Sequence, residues 1–145
     1  MIKIICHGKI KEKYIEDLIQ DYKKRISKYH KIEIIELKDY DNLEQEKNII
    51  EKHIGNQDYV IALDIDGKIY DSEQLAKLID STFNCHGTIT FIIGSSYGLH
   101  QEIKDRANLR LSFSKLTFPH GLFRGILLEQ IYRAFKILNN ESYHK

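Results

Sequence analysis

One stretch of the sequence decides the fold: Thr88-Ile-Thr-Phe-Ile-Ile93, followed at once by Gly94-Ser-Ser-Tyr-Gly98. The first six residues are all β-branched or aromatic, which is typical of a buried strand. The next five include two glycines, which permit a sharp turn and leave backbone N–H groups open to a ligand. The stretch predicts a strand that ends in a loop suited to ligand binding, although an ordinary strand-to-helix turn would use the same glycines.

Outward from this stretch, strands and helices alternate along the chain. Short apolar runs predict four further strands, at residues 2–6, 32–37, 59–63 and 109–113. Residues 64–67, Asp-Ile-Asp-Gly, are expected to turn away from the strand before them. The alternation predicts a single α/β domain over residues 1–145, with a mainly parallel sheet and helices on both faces.

Four helices are expected between the strands. The first is marked by apolar residues at helical spacing, which are Tyr14, Leu18, Tyr22, Ile26 and Tyr29. The second begins with the capping pair Asp41 and Glu44 and ends near Gly55. The third and fourth cover about residues 72–84 and 100–107.

A fifth, long helix closes the pattern. It begins at Pro119, whose fixed φ suits a first helical turn, and it runs to about Leu138. Its apolar residues cover most of its circumference rather than one stripe. Burial on two sides is therefore expected, and in so small a domain we expect the second side to contact another copy of the chain in a homodimer. Central burial within one chain is the alternative.

The charge is distributed unevenly, although the formal net charge is only +1. Residues 9–31 and 101–145 carry 16 Lys and Arg against 8 Asp and Glu, whereas residues 32–100 carry 5 against 13. Two basic ends around an acidic middle suit a polyanion such as RNA. Basic residues of the first helix are candidate phosphate contacts, namely Lys23, Lys24, Arg25 and Lys28. Solvated helix faces would give the same pattern.

Several classes of protein lack their signatures here. No long apolar run or signal-peptide pattern opens the chain, so we expect no membrane segment. Cys6 and Cys85 are too few for a disulfide framework, which favours the reducing cytoplasm. The seven histidines form no H-x-x-x-H pair, so no metal site is expected. No G-x-G-x-x-G follows the first strand, and no Walker A segment occurs.

The glycine loop also fits a second chemistry. Gly94-Ser95-Ser96-Tyr97-Gly98 matches the G-x-S-x-G nucleophile elbow of serine hydrolases, with Ser96 as the nucleophile. Asp105, with His120 or His144, would then supply the acid and the base. Against this stand the short chain and the absence of an HGGG-type oxyanion segment.

Longer motifs resemble one family over the whole length of the chain. They are Ile5 to Tyr14, the turn Ala62-Leu-Asp-x-x-Gly67, Ile92-Ile-Gly-x-x-x-Gly98-Leu99, Leu111 to His120, Leu127 to Lys136 and Tyr143-His-Lys145. With these segments the chain resembles the ribosomal RNA large-subunit methyltransferase H family of the SPOUT superfamily. A non-catalytic RNA-binding assembly factor that kept the same fold is the alternative from another class.

The resemblance implies a fold and a reaction. Members of that family have a C-terminal trefoil knot, bind S-adenosyl-L-methionine in three loops and act as homodimers. They methylate N3 of a pseudouridine in large-subunit (23S) ribosomal RNA on the assembled ribosome, in the cytoplasm. Periodicity and spacing give no indication of a knot, so it is expected from the resemblance alone.

Carried over residue by residue, the resemblance also implies a cofactor site. Its members are Leu63, Gly94, Phe113, Ser114, Lys115, Leu116, Thr117 and Phe118. The chain departs from the family pattern at Ser95, where a second glycine is usual, and at Gly121 and Gly125, where larger residues are usual.

The same resemblance assigns roles near the end of the chain. His144 and Tyr143 are the candidates for substrate positioning and proton handling, although a terminal Tyr-His-Lys by itself would be interpreted as a disordered end. Arg124, Arg133 and Lys145 are the candidate substrate-binding residues. Because the two arginines lie among apolar neighbours, each needs a partner, which can be RNA phosphate, a carboxylate such as Glu129 or a second subunit.

Overall fold

A computed structural model describes all 145 residues. Its strands are β1 (Ile2–His7), β2 (Ile32–Leu37), β3 (Tyr59–Ile69), β4 (Ile89–Ile92) and β5 (Leu109–Ser112). Its helices are α1 (Lys13–Ser27), α2 (Leu43–Glu51), α3 (Ser72–Phe83), α4 (Gln101–Arg106) and α5 (His120–Leu138). Every strand and helix expected from the sequence is present.

The five strands form one sheet in the order β2-β1-β4-β3-β5, and every neighbouring pair is parallel. Strand β4, which comes from the β-branched stretch 88–93, lies at the centre between β1 and β3. All four of its residues are buried, because helices cover both faces of a parallel sheet. The predicted α/β fold class is confirmed.

Each face of the sheet has its own apolar core. Helices α1, α3 and α5 pack on one face, around residues such as Ile4, Phe91 and Leu128. Helices α2 and α4 pack on the other, around Ile5 and Ile92. Neighbouring residues of β1 alternate between the two cores because side chains of a strand point to opposite faces.

The long helix α5 lies between α1 and α3, and each of its residues is at least partly buried by its own chain. The C-terminal segment 139–145 folds back over its outer side, where Tyr143 packs against Tyr132 with ring centroids 4.9 Å apart. Burial within one chain accounts for the apolar circumference of α5 only in part, because Leu122, Phe123, Ile126, Ile137 and Leu138 stay partly exposed. The expected contact with a second subunit stays a prediction.

The two unusual glycines of α5 have a steric role. A Cβ at Gly125 would lie 2.8 Å from Cδ2 of Leu18, and one at Gly121 would lie 2.9 Å from Cδ1 of Ile10. Both contacts involve the ends of apolar side chains on or just before α1. The glycines therefore let this part of the chain approach α5 closely.

The predicted departure of residues 64–67 from the strand is confirmed: Leu63 and Lys68 both pair with Leu111, so the four residues between them bulge out of the ladder with β5. The return of the strand to β5 at Lys68 and Ile69 was not predicted. A second local prediction, the cap of α2, was wrong. The cap of α2 is Asn42, which accepts a hydrogen bond from the backbone of Gln45, and not Asp41.

The stripe predicted for α1 is confirmed in its second half, where Ile26 is buried and Tyr22 and Tyr29 pack against the core, but it was wrong at its first residue. Tyr14 is 73% exposed, while Ile15 and Ile19 are buried. The large aromatic residue at the start of the helix was therefore a misleading marker of its apolar side.

Candidate active site

The carboxyl ends of β3, β4 and β5, with the segments after them, enclose a cavity of about 560 Å³. Helix α4 follows β4 on one face of the sheet, whereas α3 and α5 follow β3 and β5 on the other. Such a change of direction opens a crevice at the strand ends, where α/β proteins bind their ligands. The volume lies within the roughly 300–1,000 Å³ range of small-molecule sites.

One wall of the cavity is the turn after β4. The backbone N–H of Gly98 donates to the carbonyl of Ser95 at 2.9 Å, and Gly98 has a φ of +81°, which favours glycine. A Cβ at Gly94 would lie 2.6 Å from the carbonyl carbon of Gly98. The first glycine is therefore required by the close approach of backbone, and the second by its conformation.

The opposite wall is the segment between β5 and α5. Its polar groups are held locally, because the hydroxyl of Ser114 accepts from the backbone N–H of Leu116 at 3.0 Å. Its apolar part is a cluster of rings, in which Phe113 and Phe118 pack against Phe123 with centroids 5.3 Å and 6.0 Å away. This wall offers apolar surface beside backbone donors and acceptors, which is the combination that fits a heteroaromatic ligand.

Seven of the eight predicted cofactor-binding residues line this one cavity, namely Leu63, Gly94, Phe113, Ser114, Leu116, Thr117 and Phe118. Lys115 lies in the same segment but is not among the lining residues. The fold thus brings together residues from three separate parts of the sequence. Which of them bind a cofactor stays a prediction.

Acidic side chains that the sequence analysis did not select also line the cavity. Asp64 is only 8% exposed, and its Oδ1 accepts from the backbone N–H of Asp66 at 3.1 Å. Its Oδ2 lies 3.6 Å from Nζ of Lys104 and 4.0 Å from the guanidinium of Arg110. A signal for Asp64 was present, because it directly follows the buried run 59–63.

The start of α5 is tied to the end of β1. Nε2 of His120 donates to the carbonyl of His7 at 3.0 Å, and the chain crosses the ends of β3 and β4 to make this contact. Burial lowers the pKa of the His120 imidazole below its usual range, although its bond to the carbonyl favours the charged form. His120 lines the cavity, so its mainly neutral ring is part of the site.

Arg124 does not reach the cavity surface. It is 1% exposed, and its guanidinium donates to Glu36 and to the carbonyls of His7 and Gly8. A carboxylate partner was one of the expected possibilities. Contacts within the chain therefore use the terminal nitrogens of Arg124, and its burial leaves none of its donors accessible to an RNA phosphate.

The C-terminal residues lie outside the cavity of their own chain. The hydroxyl of Tyr143 donates to Glu129 at 3.1 Å and meets the hydroxyl of Tyr22 at 3.2 Å. Burial and these contacts raise the pKa of Tyr143 above its usual range. Arg133 bonds to the same Glu129 and donates to Nδ1 of His144 at 3.1 Å. The end of the chain is thus docked, whereas Lys145 is exposed.

The serine hydrolase interpretation finds no catalytic arrangement. Ser96 makes no side-chain hydrogen bond to a histidine, and its neighbour Ser95 donates to Glu46 instead. The proposed acid Asp105 accepts from Gln101 on α4. Neither His120, which is bound to the carbonyl of His7, nor the distant His144 is placed as a base for Ser96.

Comparison with known proteins agrees with this geometry. The sequence profile of a family described as predicted SPOUT methyltransferases matches residues 1–144. Ribosomal RNA large subunit methyltransferase H from Clostridium botulinum strain Hall is 51% identical, and the alignment covers 99% of each chain. The chain belongs to the SPOUT methyltransferase family. The resemblance noted in the sequence is confirmed.

Other comparisons place this SPOUT methyltransferase among similar proteins. The enzyme of the same name from Streptococcus uberis is 50% identical, again over 99% of each chain. The structure of a probable methylase family protein from Haemophilus influenzae has a TM-score of 0.59 at 12% identity, covering 99% of this chain and 70% of that one. The latter similarity concerns the fold alone. The trefoil knot stays a prediction from the family.

Two further observations concern metal ions and membranes. No group of three or more His, Cys, Asp or Glu side chains is arranged to hold a metal ion. None of its helices combines the length and hydropathy that a membrane crossing requires.

Proposed function

We propose that this chain uses S-adenosyl-L-methionine to methylate N3 of a pseudouridine in large-subunit ribosomal RNA, as a cytoplasmic homodimer acting on the assembled ribosome. The family and the names of the 50–51% identical relatives support the class of reaction. One structural observation carries the proposal: a single cavity gathers residues from the ends of three strands, including seven of the eight expected cofactor contacts.

The cavity suits the cofactor chemically. Gly94 has no side chain, and a Cβ there would collide with Gly98. The backbone groups of this turn are therefore accessible to a polar ligand. The ring cluster around Phe123 offers an apolar surface to an adenine.

S-adenosyl-L-methionine, when bound, supplies a methyl group already activated on its sulfonium. The protein then has to align donor and acceptor and exclude water. The turn at Gly94 and the segment from Phe113 to Phe118 bind and orient the cofactor. The apolar wall of the cavity excludes solvent from it. The RNA base has to lose the proton on N3, which requires a proton acceptor near the cavity mouth.

The proposed roles of Tyr143 and His144 depend on a dimer. In their own chain both residues lie outside the cavity, docked on Glu129 and Arg133. We therefore propose that they assist the reaction at the cavity of a second subunit. Exposed apolar residues around the cavity, among them Ile65, Tyr97 and Leu116, support a contact between subunits at this edge.

The fold changes which basic residues are candidates for contacting RNA. The basic residues of α1 occur in its second half, and this helix runs from the carboxyl edge of the sheet toward the amino edge. They are therefore far from the cavity mouth. Lys104 and Arg110 are nearer, and with Lys68 they line a polar groove beside the cavity. We propose these three, with Arg133 and Lys145, as the phosphate contacts.

Transfer of a labelled methyl group tests the function. Assembled ribosomes and free ribosomal RNA, both lacking the modification, are incubated with the protein and labelled S-adenosyl-L-methionine. We expect label on ribosomes only, at N3 of one pseudouridine as located by mass spectrometry. Cofactor binding without transfer to either RNA would favour another substrate, and the absence of cofactor binding would favour a non-catalytic assembly factor.

A further inference from the structure

A buried carboxylate lies behind the cavity, on a helix that does not line it. Glu46 is in the first turn of α2 and only 2% exposed. Its Oε1 accepts a hydrogen bond from Oγ of Ser95 at 2.6 Å. Its Oε2 makes no hydrogen bond within the chain and lies 3.7 Å from Nδ1 of His7, which is equally buried. Burying a carboxylate is unfavourable, so Glu46 needs a compensating partner. The hydrogen bond from Ser95 is the strongest contact it makes, which indicates that Glu46 serves to hold Ser95 in place.

Ser95 transmits that contact to the backbone of the turn. Its hydroxyl proton is directed to Glu46, so a lone pair of the same oxygen is free to accept from the backbone N–H of Tyr97, 3.2 Å away. Its carbonyl accepts from the N–H of Gly98. A continuous path therefore runs from α2 through Ser95 to both ends of the turn that forms one wall of the cavity.

Ion pairs of the neighbouring residue hold the first turns of α2 in place. The next residue, Lys47, bonds to Glu102 on α4 at 2.9 Å and to Glu44 at 2.8 Å, which ties the two helices of this face together. The position of Glu46 near the amino end of α2 also places its carboxylate at the positive end of the helix dipole. The carboxylate is thus fixed in place before any ligand arrives.

We propose that Glu46 is a positioning residue for the cofactor: through Ser95 it holds residues 94–98 in the shape that binds S-adenosyl-L-methionine. The proposal rests on the function proposed above, since it takes the cavity as the cofactor site. Glu46 does not line the cavity and touches no reacting atom. Without its bond the turn has to be ordered by the ligand, and part of the binding energy is lost to that ordering.

The decisive variant is Glu46→Met, which removes the acceptor while keeping the length and volume of the side chain. Because the change leaves the Ser95 hydroxyl without its acceptor and removes the carboxylate that faces buried His7, we expect some loss of stability. The unfolding midpoint without ligand is therefore measured for each variant beside its affinity. The Kd for S-adenosyl-L-methionine, measured by calorimetry, should increase roughly tenfold, as for the loss of one charged hydrogen bond.

Companion variants separate positioning from a general structural role. Glu46→Gln keeps an oxygen that can accept from Ser95, so it should restore most of the affinity. Ser95→Ala should weaken binding as much as Glu46→Met, and the double variant should be no weaker than either, because both break the same path. Glu51→Gln makes the same chemical change at an exposed site of α2 and is expected to bind like wild type.

Steady-state kinetics give a second measurement. A positioning role predicts a raised KM for the cofactor and a kcat within about twofold of wild type at saturation. Cofactor binding by wild type tests the function itself, independently of Glu46. If wild type binds and Glu46→Met binds equally well, the positioning role is overturned and the function stands. A Glu46→Met protein that loses affinity only in proportion to lost stability, without rescue by Gln, overturns it as well.

Discussion

The two ends of α5 are held in opposite ways. At the first turn of α5 the contacts are to backbone groups, since the side chain of His120 donates to a carbonyl of β1. The neighbouring turn at Gly94 leaves peptide groups exposed to the open cavity. At its carboxyl end aromatic side chains fill the space, with Tyr29 stacked on Phe135 and Tyr143 against Tyr132. One end has room and accessible polar groups, and the other has neither.

This difference separates cofactor binding within the chain from the docking of the C-terminal segment. Polar backbone beside a cavity can exchange its partners when a ligand binds in the same chain, whereas the docked residues Tyr143 and His144 can act only outside their own chain, as proposed above. Arg124 is the exception at the cavity end, because its buried side chain stabilises the fold through bonds to Glu36 and to the end of β1.

The largest effect on stability is expected at this exception. Arg124→Ala leaves Glu36 and two carbonyls of the β1 end without their donor, and we expect a loss of about 3 kcal/mol in the free energy of unfolding. Urea titration measures it. Arg133→Ala removes an arginine side chain that is 24% exposed, against 2% for Arg124, and we expect a loss of about 1 kcal/mol or less. Equal losses would remove the distinction between the two arginines.

The cavity itself is tested by Gly94→Ala. The added Cβ would lie 2.6 Å from backbone of Gly98, so the turn has to open. We expect the Kd for S-adenosyl-L-methionine to rise about 100-fold, equivalent to about 2.7 kcal/mol. The matched control is Gly87→Ala, whose Cβ meets nothing within 4 Å. Wild-type affinity in Gly94→Ala would mean that this turn is not part of the cofactor site.

Removal of Tyr143, His144 and Lys145 tests the opposite end. The loss of the ring contacts and the bond to Glu129 should lower the free energy of unfolding by about 1–2 kcal/mol. Methyl transfer should fall sharply while cofactor affinity stays close to wild type, because these residues do not line their own cavity. A parallel loss of cofactor affinity in calorimetry would show that the two ends are not independent.

The smallest effect is a pH dependence at His120. Because burial lowers its pKa below 6.5, the unfolded chain binds more protons than the folded one as pH falls past that value. The contribution of His120 to stability is therefore present above pH 6.5 and is lost below it. In His120→Gln the free energy of unfolding should decline less between pH 7 and pH 5. Parallel curves for the two proteins would contradict this.

Local sequence predicted the regular elements well because their causes are local. The β-branched run at residues 88–93 became the central strand, and Pro119 marked the start of α5 to within one residue. The need of Arg124 for a partner also followed from its apolar neighbours. Its actual partner, Glu36, is 88 residues away and could not be identified before the strand order was known.

The parts of the site that the sequence missed depend on such distant contacts. Glu46 looked like an ordinary acidic residue near the start of a helix, and only the placement of α2 behind β4 brings it to Ser95, 49 residues away. Asp64 appeared to belong to a turn because Asp-Ile-Asp-Gly is a turn-like sequence. Asp64 does lie in the bulge 64–67, and only the return of the strand to β5 at Lys68, which the local sequence did not predict, fixes that bulge in the cavity wall.

The order of the strands also affects how the molecule is made. Strand β4 inserts between β1 and β3, and its Ile89 pairs with Ile2, 87 residues earlier in the chain. During translation the first three strands therefore wait for β4 before the sheet can close, with the inner edge of β1 unpaired until then. The cavity forms later still, after β5 and the first turn of α5 have left the ribosomal exit tunnel. A nascent chain arrested before residue 119 should consequently be a substrate for chaperones rather than a binder of small molecules.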